Sequence, residues 1–113
     1  YQTNFGPSFA LALANLGPAT NAGCNGATPT AANACLIDFS LSSNGAGLGK
    51  SGYNFVAPQT GAGTGYVAGA SPVSANQSGT ATYCSGEDAV LHVVIAGGAP
   101  PATEAACSAA PAL

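Results

Sequence analysis

Strand-type patterning is densest in residues 78–95. Thr80, Thr82 and Tyr83, and then Val90, Leu91, Val93, Val94 and Ile95, are branched or aromatic residues suited to a pleated, half-buried surface. Between the two runs lies Ser85-Gly86-Glu87-Asp88, a polar turn of the kind that reverses a hairpin. The second run is apolar on both faces, with Leu91, Val93 and Ile95 on one and Val90 and Val94 on the other, so both faces call for a cover. Upstream, Tyr53, Phe55 and Ala57 alternate with Asn54, predicting a strand over 52–57, and Tyr66 and Val67 centre another over 64–70. Residues 59–63 form the loop between these strands, and Pro72, which donates no ladder hydrogen bond, belongs at a strand end or on an edge.

The N-terminal half reads as helical. Phe9, Leu13 and Leu16 fall at helical spacing, with Ser8 as cap and Gly17-Pro18 as stop, predicting a short helix over 8–16. A second short helix is predicted over 33–42, capped by Asn33, with Cys35 and Phe39, and Ile37 and Leu41, sharing faces; Asn44-Gly45 ends it. Residues 1–4 have the form of a last helical turn halted at Gly6-Pro7. Residues 96–113, with Gly97-Gly98 and repeated Pro, read as coil held by Cys107. The order is helix, helix and then four short strands, an α+β domain with short helices packed on a four-stranded antiparallel sheet. These helices are too short to cover a sheet face, so a longer N-terminal helix is expected to be missing from this chain.

Composition narrows the function. At 113 residues the chain is one domain. Only 4% of its residues are charged, against about 25% in an ordinary soluble domain, and Lys50 is the sole base. Such a chain cannot neutralise a phosphate backbone, so no nucleic-acid contact is expected, nor docking on an anionic membrane. Low charge permits self-association.

Four cysteines, Cys24, Cys35, Cys84 and Cys107, point to disulfides and an oxidising compartment. Of three pairings, proximity favours Cys24 with Cys35 and Cys84 with Cys107, closing loops of about 12 and 24 residues, each worth on the order of 3 kcal/mol. There is no Cys-x-x-Cys pair and only His92 to join the thiols, which argues against zinc. No Gly-x-Ser-x-Gly elbow accompanies His92, which reads as an ordinary strand residue. Glu87-Asp88 reads as a solvated turn rather than a calcium site, and Asp38 and Glu104 as solvated or capping groups. Asn76-Gln77-Ser78 has the form of a glycosylation sequon and marks a surface loop. Neither catalytic, cofactor-binding nor metal-binding residues are expected.

The order of motifs resembles the globular C-terminal domain of bacterial type IV pilin-like proteins. Residues 1–5 look like the exit from the long pilin helix, and Asn33-Ala34-Cys35-Leu36-Ile37-Asp38, with Cys24 upstream, looks like a pilin motif. Lys50-Ser51-Gly52-Tyr53-Asn54-Phe55 is similar to the pilin strand entry, and Ala70-Ser71-Pro72-Val73 through Gly79-Thr80-Ala81-Thr82-Tyr83-Cys84-Ser85 to the strands that follow. Ala81 and Leu91-His92 depart from the pattern, standing where Arg and Ile-Arg are common and removing positive charge from the sheet.

The resemblance implies a structural, non-enzymatic subunit of an extracellular filament. Its precursor would be anchored in the inner membrane and handled there by the pilus assembly machinery. Its partners would be copies of itself, joined through an apolar N-terminal helix on the same precursor or on a separate chain. Surface roles such as adhesion or motility would follow. A secretion pseudopilin and a free secreted adhesion module are the alternatives.

Overall fold

Branched and aromatic residues after Gly52 build three of the four strands of the main sheet, and a run of small residues builds the other. A computed structural model describes residues 1–94 and 98–113 of the chain, so Ile95 of the expected last strand, and Ala96 and Gly97, lie outside the described residues. Among the described residues, strands β1 (Tyr53–Val56), β4 (Ala68–Pro72), β5 (Thr82–Ser85) and β6 (His92–Val94) form one antiparallel sheet in the order β1-β4-β5-β6. β2 (Gln59–Thr60), within the expected 59–63 loop, pairs with β3 (Gly65–Tyr66) in a small separate hairpin, and the single strand expected over 64–70 is split between β3 and β4. Val67 interrupts that run: its N–H donates to the Pro58 carbonyl at 3.2 Å, and its side chain is fully buried. Pro72 ends β4, where its missing donor costs nothing.

Helix is scarcer than the pattern predicts. Instead of a helix over 8–16 there is a single 3-10 turn, Leu13–Leu16, and Ser8 caps nothing in it. The backbone there is committed to the hairpin instead: Phe9 N–H donates to Gly63 O at 3.0 Å, and Gln59 N–H to Leu11 O at 3.2 Å. The helix expected over 33–42 shrinks to α2 (Phe39–Ser42). Cys35 sits at φ 57°, in the left-handed region that breaks a helix, and Leu36 and Ile37 both donate to Leu16 O. Asp38 rather than Asn33 is the cap, accepting from Leu41 N–H at 2.8 Å. Tyr1 precedes a one-turn helix, α1 (Gln2–Phe5), that ends at Gly6 as expected.

The tail is not plain coil. Thr103 caps α3 (Glu104–Ser108), accepting from Ala106 N–H at 3.2 Å, and Cys107 on α3 is bridged to Cys84 on β5. The second bridge joins Cys24 to Cys35, so the two expected pairings are the ones formed. After α3 the chain lies along the outer edge of β6, with Val93 N–H donating to Pro111 O and Leu113 N–H to Leu91 O.

Register assigns the two faces. Val56, Gly69, Cys84 and His92 stand in one row across the sheet; the tail covers this face, and the buried core of Val67, Cys84 and Cys107 centres on it. A Cβ on Gly69 would overlap the Pro100 ring, so glycine there is what lets the tail lie close. Phe55, Ala70, Tyr83 and Val93 form the facing row, which is half-buried, with Leu13, Leu41 and Leu91 at its borders. The molecule measures 42 × 30 × 18 Å, a slab whose thin dimension fits one sheet with one covering layer.

Candidate functional site

The open face is a shallow trough. Ala68 and Ala70 on the central strand β4 give it a floor of small side chains, and the Phe55 and Tyr83 rings stand beside them. Leu13 and Leu41 border it beyond β1, and Leu91, 44% exposed, borders it beyond β5. The trough encloses about 290 Å³ and is walled almost wholly by carbon, Tyr83 and Ser85 being the lining residues with a side-chain hydroxyl. Phe55, Ala68, Ala70, Tyr83 and Val93 are all half-buried. A surface of this composition is an exposed apolar patch.

Both sheet edges are guarded, which confines docking to the face. Phe55 N–H, on the free edge of β1, donates to the Asn44 side-chain oxygen at 2.7 Å, while Asn44 Nδ2 donates to Asn54 at 3.1 Å. Asn44, read above only as a helix stop, thus fills the hydrogen-bonding position of a neighbouring strand. At the opposite edge the tail residues Pro111 and Leu113 play that part for β6.

His92 and the acidic groups are tied into the fold. His92 is buried beneath the tail, with Nδ1 2.7 Å from the Ala110 carbonyl and Nε2 3.4 Å from Asp88 Oδ2. The other Asp88 oxygen accepts from Val90 N–H at 3.1 Å. That bond, followed by His92, holds the Asp88 carboxyl below its ordinary value. Glu87 turns the other way, and a Cβ on Gly65 would run into its carboxylate, so the neighbouring acids diverge instead of converging on a cation. Glu104 lies against Gly86 in the first turn of α3. Asp38 caps α2 and pairs with Lys50 Nζ at 3.4 Å; the Leu41 N–H and then Lys50 hold its carboxyl below the ordinary range. Among the described residues no group of three or more His, Cys, Asp or Glu is placed to hold a metal.

The four predicted cysteines are all bridged, Cys84 and Cys107 in the core and Cys24 and Cys35 half-exposed. Two disulfides are consistent with a secreted or extracellular setting. No helix of the described residues is long and apolar enough to cross a membrane. No family model, curated protein or solved structure matches this chain.

Proposed function

We propose that this chain is the globular part of an extracellular, type IV pilus-like filament subunit, and that an apolar helix occupies the trough of the open face. The observation that carries the reading is that face itself. A four-stranded sheet is covered on one side only, and its other side presents Phe55, Ala68, Ala70 and Tyr83 with almost no polar atom among them. Small residues flanked by aromatic rings suit the rounded surface of a helix. The motif order described above supports the same reading, as do the disulfides and the near absence of charge.

In this reading the helix contributes the assembling core, while the tail-covered face and the loops look outward. The role is structural and needs no cofactor. Photo-crosslinking tests the docking step. A benzoylphenylalanine in place of Tyr83 is expected to capture an apolar helix segment supplied in detergent, whereas the same probe at the exposed Leu48 is not. Equal labelling from both positions would remove the trough from the proposal.

A further inference from the structure

Another groove has a different chemistry. It encloses about 430 Å³ between the N-terminal segment and the loop around Ala31, lined by Tyr1, Phe5, Phe9, Leu11, Asn15 and Gln59. The Tyr1 and Phe5 rings lie 5.2 Å apart between centroids, tilted by 51°, and Phe9 is braced against Tyr66 at 5.0 Å. The polar groups are fixed as well: Gln59 Nε2 donates to Phe9 O at 2.6 Å, Asn15 Oδ1 accepts from Ala12 N–H at 3.0 Å, and Asn15 Nδ2 donates to Ala32 O at 3.3 Å. Tyr1 Oη donates to Ala31 O at 2.7 Å.

Each of these bonds orients a side chain while using only part of its capacity. A primary amide has two N–H donors and two acceptor lone pairs. The Gln59 oxygen and the second amide protons of Gln59 and Asn15 therefore remain for a ligand, as does the acceptor side of the Tyr1 hydroxyl. None of the five Lys, Asp and Glu residues lines the groove. Rings held rigid beside oriented, uncharged donors and acceptors are what a sugar ring requires: an apolar surface for its C–H face and amides for its hydroxyls. The trough, by contrast, is walled almost wholly by carbon.

We propose that this groove binds a neutral mono- or disaccharide, with Phe5 under the sugar ring, Tyr1 tilted against its edge, and Asn15 and Gln59 on its hydroxyls. A volume of about 430 Å³ lies within the range of small-ligand sites. The groove shares no lining residue with the trough, and it is tested on the unassembled chain.

The test is a titration of the unassembled, isotopically labelled chain with glucose, galactose, N-acetylglucosamine, lactose and chitobiose at up to about 20 mM, a range that captures millimolar binding. At least one sugar is expected to shift the side-chain amide signals of Asn15 and Gln59 and the backbone signals of residues 5–12. Phe5→Ala is expected to weaken that binding about tenfold, a loss of one aromatic contact. Gln59→Glu, which puts a charge at the hydroxyl-binding position, is expected to weaken it similarly. Val73→Ala, on a distant exposed loop, is expected to leave it unchanged. The proposal is overturned if no sugar in the panel moves these signals. It is equally overturned if the shifts map elsewhere, or if neither groove variant, with its spectrum otherwise native, alters them. Because the chain is unassembled throughout, a negative result leaves the filament reading standing.

Discussion

His92 shows how much one buried polar side chain can settle. Its ring faces the Ala110 carbonyl through Nδ1 and Asp88 through Nε2, so it ties the tail and the hairpin turn to the same strand. His92→Ala removes that tie and leaves the Ala110 carbonyl without its partner, and is expected to cost about 1–3 kcal/mol. Urea unfolding measures the loss, and hydrogen exchange is expected to rise first at Val93 and Leu113, whose amides pair the tail with the sheet. The aspartates predict an acid limb. Asp38 and Asp88 both have carboxyls lowered from an ordinary 3.8 by backbone N–H donors and by a cation or imidazole. A group whose folded value lies below its unfolded value stabilises the fold above the unfolded value, and that contribution fades as pH falls through the folded one. Thermal midpoints are therefore expected to decline below about pH 4, and the Asp38→Asn, Asp88→Asn double variant to show a shallower decline between about pH 4 and 2. At this scale the sequence was informative about Asp38, where a capping role was among its readings, and silent about Asn44. An Asn before a Gly looks like a helix stop, and nothing local reveals a β-strand N–H waiting eleven residues on.

Elements were legible in proportion to how local their hydrogen bonds are. β1, β5 and β6 follow from alternation and from branched and aromatic residues and form within the stretches the pattern marks. β4, built of Ala, Gly, Ser and Pro, carries no such signal and lies beyond most of the strand expected over 64–70. The two helices expected in the N-terminal half did not follow from spacing, because distant partners take their backbone groups. Gly63 O takes the Phe9 N–H, and Leu16 O takes those of Leu36 and Ile37. α3 was hidden for a different reason: Ala-rich, Pro-flanked sequence carries no amphipathic stripe, and the Thr103 cap together with the Cys84 bridge holds a helix of only five residues.

The two bridges are expected to differ in weight. Cys84 and Cys107 are each 1% exposed and form the centre of the core, whereas Cys24 and Cys35 are half-exposed on a loop. Replacing Cys84 and Cys107 by Ser is expected to cost at least the 2–4 kcal/mol typical of a disulfide and to release the tail. The corresponding change at Cys24 and Cys35 is expected to cost less and to leave β1, β4, β5 and β6 paired. Denaturant melts with exchange mapping separate the two outcomes.

For the whole molecule, the notable quantity is apolar surface left uncovered. The core proper holds few side chains larger than Ala, while Leu11, Leu36, Leu48 and Leu113 are each more than half exposed. With one base and four acids there is little charge to keep copies apart. The sheet edges are closed by Asn44 and by the tail, so strand-to-strand aggregation is disfavoured, and the open face is the surface the proposed helix would cover. That face was anticipated from the two-sided apolar strand. Its composition was not, since Ala68 and Ala70 become a trough floor only once β4 is seen to be central.

If an apolar helix packed in this trough turns the domain into a filament subunit, as proposed, negative-stain electron microscopy of the chain co-produced with a type IV pilin N-terminal helix, fused or separate, will show it. Thin filaments are predicted for the native chain and none for Ala70→Arg, a variant whose new charge projects into the trough and whose fold is checked by its two intact disulfides. Chains that remain monomeric with the helix present, or filaments that form equally well with Ala70→Arg, would contradict the account.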